Sequence, residues 1–331
     1  MLVSVIGFVV CSLLIFYHGK KLSFYGDLIS IKSGLGRVWV GLILMASVTS
    51  LPELAMGISA VTVVDSPDLA VGNVLGSCVF NLAVLSLLDA ILPGQPILTK
   101  VARSNVLAAS LSTILLTFVG VGLFLANEIS ILNWLGVTSL MFLIIYFVSI
   151  RLLHSYGMKE TLVVEPADDL KVKDITIGNI VLWYSIHAVV VIAAAIVLPY
   201  FSDVIAAELG LEKSFVGTLF LAAASSLPEI AVCISAARMG NADLAVGNLF
   251  GSNIFNIMLL TIFDLFYTPG NILKDASESN LITVFAVVIM NSIAITGLTV
   301  RPEKKVLHYL AWDTALILIV YVFTMIFLFI Y

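Results

Sequence analysis

The chain has 331 residues, of which 61% are hydrophobic and only 11% are charged. A soluble globular protein carries about 25% charged residues because its surface faces water, so this composition excludes a soluble enzyme. The net charge of −5 gives no sign of a nucleic-acid partner, and the sequence predicts an all-α polytopic membrane protein.

Ten apolar runs along the chain are predicted to be membrane-spanning helices, since a span takes about 20 residues. The predicted spans are residues 2–17, 38–64, 68–92, 104–126, 131–150, 177–201, 215–237, 243–267, 281–300 and 312–330. The first run has no basic leading segment and no small-residue cleavage site, so it is interpreted as a span and not as a signal peptide.

The charged loops between the spans predict the orientation of the chain. If the N-terminus lies outside, only Lys213 and Lys274 of the 16 Lys and Arg residues fall on the outer side. Cationic residues concentrate on the inner side of membrane proteins, so both termini are predicted to lie outside. The compact size indicates a prokaryotic inner (plasma) membrane, and the polar stretch 151–174 is then a cytoplasmic linker.

An internal repeat relates the two halves of the chain. Residues 46–81 and 222–256 both contain SLPE and DLAVGN, offset by 176 residues in the first motif and by 175 in the second. Each half holds five predicted spans, an odd number, so the second copy crosses the membrane in the opposite sense. The sequence therefore predicts two inverted five-helix repeats, at 1–150 and 175–331, which is typical of secondary transporters with a substrate site near the midplane.

One glutamate lies inside an apolar run of each copy, where a carboxylate is energetically costly. No Lys or Arg occupies the core of any predicted span, so Glu53 and Glu229 are interpreted as parts of a cation site and not of internal salt bridges. Pro52 and Pro228 lack the N–H that would continue the helix. Each span is therefore expected to break beside its glutamate and to leave carbonyl oxygens free.

Further oxygen-bearing side chains recur around both glutamates. They are Thr49, Ser50, Ser77 and Asn81 in the first copy, and Ser225, Ser226, Ser252 and Asn256 in the second. Carboxylate, hydroxyl and amide oxygens suit Ca²⁺ or several Na⁺ ions. Two glutamates neutralise one Ca²⁺, two monovalent ions or two protons, and this either/or occupancy is a physical basis for exchange.

Several aspartates outside these motifs receive structural interpretations. Asp68 and Asp243 begin predicted spans and are expected to be helix N-caps, with a role in ion access as the alternative. Asp89 and Asp264 recur near span ends and are predicted at the membrane interface. Asp313 opens the last span and is predicted to be a surface residue.

The sequence resembles the sodium/calcium exchanger family of the cation/Ca²⁺ exchanger superfamily, at TSLPE and GNVLGSCVFN and again at SSLPE and GNLFGSNIFN. The resemblance covers both repeats and the ten-span arrangement. It implies a Na⁺/Ca²⁺ antiporter, and not an enzyme, that works by alternating access as the first and sixth spans slide across a four-helix core. Ca²⁺ and Na⁺ would be substrates and the lipid bilayer the surroundings, with no cofactor, nucleic acid or obligate protein partner.

The same resemblance implies roles for the motif residues. Glu53 and Glu229 look like shared ligands of Ca²⁺ and Na⁺, and Asn81 and Asn256 look like the polar pair of a middle site. The implied side-chain ligands are Thr49, Ser50, Ser77, Ser225, Ser226 and Ser252, and the carbonyl oxygen of Ala222 looks like another.

The sequence also departs from the usual pattern of that family. Val48 and Ala224 stand where Gly often precedes the Thr-Ser pair, and Ser225 stands where Thr is common. Asn256 stands where one repeat often carries Asp, which removes a carboxylate from the expected site.

Other functions remain as alternatives on the sequence alone. A Ca²⁺/H⁺ antiporter would use the same carboxylates as proton carriers, although the Gly-Asn-x-x-Glu pattern of the proton-coupled branch is absent. An ion channel is disfavoured because the inverted repeat indicates alternating access. An intramembrane enzyme is disfavoured because the sequence has no HExxH or GxSxG arrangement.

Overall fold

The structure is a computed structural model that describes residues 2–33, 49–92, 94–125, 130–131, 135–160, 176–238, 242–306 and 309–330. Almost all of these residues are helical. The exception with regular structure is a short antiparallel pair of strands, β1 (Ser130–Ile131) and β2 (Leu135–Gly136), in which Ser130 pairs with Gly136.

The helices follow one another along the chain with short connections. Within the described residues of the first half they are α1 Leu2–Ser33, α2 Leu51–Thr62, α3 Pro67–Ile91, a 3₁₀ turn Ile97–Lys100, α4 Ser104–Leu125 and α5 Val137–Glu160. In the second half they are α6 Ile177–Leu209, α7 Lys213–Val216, a π-helical turn Gly217–Leu221, α8 Ala222–Ser225, α9 Leu227–Arg238, α10 Ala242–Phe266, α11 Ile272–Asp275, α12 Asn280–Val300 and α13 Trp312–Ile330.

The long apolar helices confirm a polytopic helical membrane protein. In the described part of the chain, eight helices are long and apolar enough to cross a membrane, or up to nine if the bent pair Gly217–Ser225 and Leu227–Arg238 is one span. These correspond to the predicted spans other than the second. The second prediction, 38–64, lies partly outside the described residues, and its described part contains the short apolar helix α2.

The helices differ in how deeply they lie in the protein. About 72% of the apolar stretch is buried in each of α3 and α10, which therefore form the centre of the molecule. Only 22% is buried in α1 and 28% in α6. These two peripheral helices pack along each other, and α1 also contacts α9 while α6 contacts α2.

Both motif helices begin at a break in the chain, as the prolines predicted. Ser50 and Ser226 form the turns that precede α2 and α9. The helical segments on the two sides of Ser226 meet at an angle of 50°. Pro228 has no N–H to donate to the carbonyl four residues back, so the regular helix ends there and restarts with Glu229 in its first turn.

Two helices extend further than their apolar runs predict. Helix α1 continues through Ser33, well past the predicted end at residue 17, and α5 continues through Glu160, into the stretch predicted to be a linker. An apolar run marks only the part of a helix that lies in the hydrocarbon, whereas backbone hydrogen bonding continues into the aqueous layer. The remainder of the predicted linker, up to residue 175, lies outside the described residues.

Candidate functional site

The two glutamates meet at the centre of the molecule. Glu53, in the first turn of α2, and Glu229, in the first turn of α9, are both completely buried. Ser226 Oγ donates to Glu53 Oε1 at 3.3 Å, and Ser50 Oγ donates to Glu229 Oε1 at 3.4 Å. Each carboxylate is thus reached by the serine of the other motif, and the free N–H groups of a helix start favour its negative charge.

A hydroxyl and an amide from α3 complete the surroundings of Glu53. Ser77 Oγ donates to Glu53 Oε1 at 3.3 Å and lies 3.2 Å from Ser225 Oγ. Ser225 Oγ is also within 3.3 Å of Asn73 Oδ1 and 3.2 Å of the Ala222 carbonyl oxygen. Asn73 was not among the residues predicted for the site, although it belongs to the repeated DLAVGN motif that could have identified it.

The Ala222 carbonyl oxygen already has partners in the protein. It accepts from the backbone N–H of Ser226 at 3.0 Å as well as from Ser225 Oγ. This carbonyl lies directly after the π-helical turn, where the change of helical pitch interrupts the regular backbone pattern. Thr49 is also buried, and its hydroxyl interacts with Glu229.

The asparagines of the two central helices are buried but differently bonded. Asn81 Nδ2 donates to Asn253 Oδ1 at 2.9 Å, and Asn253 Nδ2 donates to the Cys78 carbonyl oxygen at 3.3 Å. Neither Oδ1 nor Nδ2 of Asn256 has a partner. Asn253 was not predicted as a site residue, because its counterpart in the first copy is Cys78 and the repeat comparison gave it no weight.

The site holds more buried acceptor atoms than the protein satisfies. The partnerless oxygens include Glu53 Oε2, Glu229 Oε2, Asn81 Oδ1, Asn256 Oδ1 and Ser252 Oγ. Within the described residues, neither glutamate forms an ion pair with a Lys, Arg or His. A buried, unpaired carboxylate is costly, so the donor set fits a positively charged, oxygen-preferring guest.

The structure brings the predicted motif residues into one buried cluster. Every one of them is at most 1% exposed. The cluster contains Glu53, Glu229, Thr49, Ser50, Ser77, Ser225, Ser226 and Ala222 around the two carboxylates, with Asn81, Ser252 and Asn256 on the adjoining parts of α3 and α10. In the described part of the chain, no group of three or more His, Cys, Asp or Glu residues is placed to hold a metal ion.

The aspartates at the starts of α3 and α10 do not act as predicted. Asp68 is not the N-cap of α3, since Ser66 occupies that position. Its Oδ1 instead accepts from the Ser277 backbone N–H and from Asn280 Nδ2. The Asp243 carboxylate makes the corresponding contacts with the other half, as Oδ1 accepts from the Ala102 N–H and from Asn105 Nδ2 at 3.1 Å. These carboxylates therefore tie the two halves together.

The aspartates near the ends of α3 and α10 are completely buried fastening points. Asp89 Oδ1 accepts from the Ile97 N–H at 2.9 Å, and Oδ2 accepts from the Ala311 N–H and Thr314 Oγ1. Asp264 repeats this pattern with counterparts 175 residues away: Oδ1 accepts from Ile272, and Oδ2 accepts from Gly136 and Ser139. Each carboxylate fixes the turn after its own helix and the start of a neighbouring one.

Asp313 corrects a further prediction, because it is 0% exposed and not a surface residue. Its Oδ1 accepts from the Thr314 N–H at 2.8 Å. The carboxylate lies where α13 approaches α12 closely at Gly297, which has no side chain to obstruct it. The sequence could show only that Asp313 opens a span, not which neighbour covers it.

The fold and the site together define a class of protein, a polytopic helical membrane protein with a buried acidic cluster that fits a cation. The sodium/calcium exchanger protein family model matches residues 3–153 and 179–330. The chain therefore belongs to the sodium/calcium exchanger family, a family of membrane ion exchangers and not of enzymes.

Individual relatives cover most of the chain or its motifs. The chain is 28% identical over 275 residues to the inner membrane protein YrbG of Escherichia coli, covering 82% of each chain. It is 44% identical over 88 residues to the sodium/calcium exchanger MaX1 of Methanosarcina acetivorans, covering 25% of each chain. A structure of the sodium-calcium exchanger NCX_Mj soaked with Na⁺ and Sr²⁺ covers 98% of each chain with a TM-score of 0.65 and 22% identity, and it shows the shared fold.

Proposed function

We propose that this protein exchanges Ca²⁺ for Na⁺ across the membrane. The observation that carries the proposal is the pair of completely buried carboxylates, Glu53 and Glu229, each with one oxygen that has no partner in the protein. Two negative charges balance one Ca²⁺ or two Na⁺ ions, and hard oxygen ligands suit both ions. The names of MaX1 and NCX_Mj, both sodium/calcium exchangers, support these ions as substrates.

The proposed ligands are the predicted motif residues. Glu53 and Glu229 contribute the shared carboxylates, and a cation bound between them would take up their partnerless oxygens. The further proposed ligands are Thr49, Ser50, Ser77, Asn81, Ala222, Ser225, Ser226, Ser252 and Asn256. The Ala222 carbonyl becomes available to a cation when Ser225 Oγ turns away from it, because that hydroxyl has Ser77 and Asn73 as alternative partners.

Alternating access is the proposed transport mechanism. Glu53 and Glu229 are 0% exposed, so a cation reaches them only when surrounding helices move. The peripheral pair α1 and α6 is suited to such movement, since both helices are mostly uncovered by protein and contact α9 and α2. We propose that this pair slides across the central helices and exposes the site to one side at a time.

The proposed architecture is ten spans in two inverted five-span repeats, 1–150 and 175–331, joined by a cytoplasmic linker at 151–174. The contacts of Asp68 and Asp89 with their neighbours recur at Asp243 and Asp264 with an offset of 175 residues throughout. This support extends well beyond the motifs. The distribution of Lys and Arg supports both termini outside, and the match to an inner membrane protein supports a prokaryotic inner membrane.

Proton coupling is the second candidate. The partnerless oxygens Glu53 Oε2 and Glu229 Oε2 could hold two protons in place of two Na⁺ ions, and protonation neutralises a buried carboxylate. A Ca²⁺/H⁺ antiporter would therefore use the same site and the same movement with a different driving ion.

Radioactive Ca²⁺ uptake into proteoliposomes tests the proposal. Parallel vesicles carry an outward Na⁺ gradient, an outward proton gradient or neither, and the Glu53→Gln/Glu229→Gln protein serves as the inactive control. We expect uptake with the Na⁺ gradient alone. Uptake with the proton gradient alone would replace Na⁺ by H⁺ as the driving ion, and uptake with neither gradient-loaded vesicle would overturn Ca²⁺ as the substrate.

A further inference from the structure

Hydrogen bonds fix the amide orientation of two buried asparagines. The Cys78 carbonyl oxygen can only accept, so the Asn253 side chain must present Nδ2 to it, which it does at 3.3 Å. Asn253 Oδ1 then faces Asn81 and accepts from its Nδ2 at 2.9 Å. A flip of either amide would set two acceptors or two donors against each other, so only one orientation of each satisfies this relay.

The relay determines which atom of Asn81 is left for a guest. With Nδ2 used by Asn253, Asn81 Oδ1 is buried without a partner. Asn81 lies four residues after Ser77 on α3, and Ser77 Oγ is 3.3 Å from Glu53 Oε1. One helical turn separates residues four apart, so this amide oxygen belongs to the region beside the glutamates.

The second half has no equivalent relay. Asn256 is the counterpart of Asn81, and the position that corresponds to Asn253 is occupied by Cys78, 175 residues earlier. The Cys78 thiol is a weak hydrogen-bonding group, and its sulfur lies 3.8 Å from the Asn253 carbonyl oxygen. Both amide atoms of Asn256 remain without partners, so nothing selects which of them faces the site.

We propose that Asn253 is a positioning residue that presets Asn81 as an oxygen ligand of the transported cation, whereas Asn256 adjusts its amide when the cation binds. The inference rests on the cation site of the proposed function. A ligand that is held in its bound orientation loses less conformational freedom on binding. The site therefore presents one fixed and one adjustable amide oxygen, from the first and second halves respectively.

Replacement of Asn253 tests the positioning role. Asn253→Ser removes the acceptor that holds Asn81 and leaves a small polar side chain in its place. We expect the half-saturating Ca²⁺ concentration of exchange to rise about 10-fold, which corresponds to about 1.4 kcal/mol, with a smaller change in the maximal rate. An unchanged half-saturating concentration would overturn the inference.

A double-mutant comparison separates positioning from a merely structural role. If Asn253 acts through Asn81, Asn81→Ala costs less Ca²⁺ affinity in the Asn253→Ser protein than in the wild type. If Asn253 only supports the packing of α3 against α10, the two losses add, and the inference falls.

The swapped protein Cys78→Asn/Asn253→Cys moves the relay to the other half without changing composition. We expect Asn256→Ala to become more damaging than Asn81→Ala in this background, the reverse of the wild type. Persistence of the wild-type order would contradict the inference. If the swapped protein does not fold, Asn253→Ser with and without Asn81→Ala decides the question.

Measurement of Ca²⁺ binding keeps this inference distinguishable from the proposed function. The same variants are compared for the shift in thermal unfolding that Ca²⁺ causes in purified protein. Coupling of Asn253 to Asn81 in this shift, without Ca²⁺ uptake under any gradient, would overturn the exchange function and keep the positioning role. Exchange with purely additive losses would do the opposite. A wild-type protein that Ca²⁺ does not stabilise would overturn both.

Discussion

The two halves of the chain are alike around their aspartates and unlike around their asparagines. Asp89 and Asp264 accept from residues exactly one repeat apart, as do Asp68 and Asp243. The relay through Asn253, by contrast, has no counterpart. The duplicated contacts fasten helices to one another, and a frame that must open to either side benefits from equal fastening. The central site is under no such requirement, since one cation occupies both halves at once.

A second difference lies at the two buried fastening points. Lys305 Nζ is 3.4 Å from Asp89 Oδ1 and donates to the Leu92 carbonyl oxygen at 2.7 Å. The residue 175 positions before Lys305 is Ser130, so Asp264 has no such cation from that position. In the proposed topology, Lys305 lies on the inner side and Ser130 on the outer side. The difference then follows the general concentration of cationic residues on the inner side of the membrane.

The largest expected effect comes from neutralising the glutamates, and it should be equal in the two halves. Glu53→Gln and Glu229→Gln each preserve shape but remove one of the two negative charges that balance the cation. We expect each to raise the half-saturating Ca²⁺ concentration by about 100-fold or more, equivalent to about 2.7 kcal/mol. Ca²⁺ uptake into proteoliposomes measures it. Wild-type exchange in both single variants would eliminate the proposed site.

Removal of the buried aspartates should separate the halves. In Asp89→Asn or Asp264→Asn, an amide N–H₂ replaces one acceptor oxygen and faces a donor. We expect Asp264→Asn to lower the free energy of unfolding by about 1–2 kcal/mol, and Asp89→Asn by about 3 kcal/mol because Lys305, only 7% exposed, also loses its counter-charge. Thermal unfolding in detergent compares the two.

Lys305→Met supplies the control for that comparison. Its effect should depend on whether Asp89 is present, and it should simply add to the effect of Asp264→Asn, which lies at the other fastening point. Equal destabilisation by the two aspartate substitutions, with no coupling to Lys305, would show that the ion pair does not distinguish the halves.

Close approach of the helices at Gly76 is the next feature to test. A Cβ at this position would lie 2.5 Å from the Thr218 Cα and 2.8 Å from the Ala222 Cβ, in and beside the π-helical turn. Gly76→Ala must therefore displace backbone, at a cost of about 2 kcal/mol, and it would move the Ala222 carbonyl away from the glutamates. We expect lower thermal stability and weaker Ca²⁺ affinity together.

Gly247→Ala is the matched control in the other central helix. A Cβ there would meet only Asn105 Oδ1 at 3.5 Å, which is an ordinary contact. This substitution should leave stability and Ca²⁺ affinity near their wild-type values. Similar losses in the two variants would mean that the site tolerates displacement of the π-helical turn and fails for another reason.

The repeated motifs were sufficient to predict the helical membrane fold and the residues that meet at the centre. SLPE predicted the breaks at Ser50 and Ser226, because proline removes a specific backbone donor. The motifs did not reveal that each serine reaches the glutamate of the other copy. That pairing depends on how two distant segments cross in space, and periodicity along one helix contains no information about it.

The aspartates and Asn253 show a second limit of the sequence. A residue type at a helix start predicts capping from local chemistry, but Asp68 accepts instead from Ser277 and Asn280, more than two hundred residues away. Asn253 escaped prediction because the repeats differ there, and a search for identity between copies overlooks the positions where only one copy has acquired a function.

The smallest expected effects come from Asp68 and Asp243, and they discriminate between fastening and ion access. The two printed contacts of Asp68 share one oxygen, Oδ1, and those of Asp243 do the same. An asparagine retains that oxygen, so Asp68→Asn and Asp243→Asn should each change the free energy of unfolding by only about 0.5 kcal/mol, whereas the alanine variants should lose about 1–2 kcal/mol. If these carboxylates instead attracted ions to the site, the asparagine variants would slow Ca²⁺ uptake at low ionic strength while keeping their stability, and the loss would fade as salt screens the charge. We expect uptake to be unchanged in both asparagine variants, because an oxygen that is already engaged by two donors of the opposite half holds helices in place and is not free to receive a passing cation.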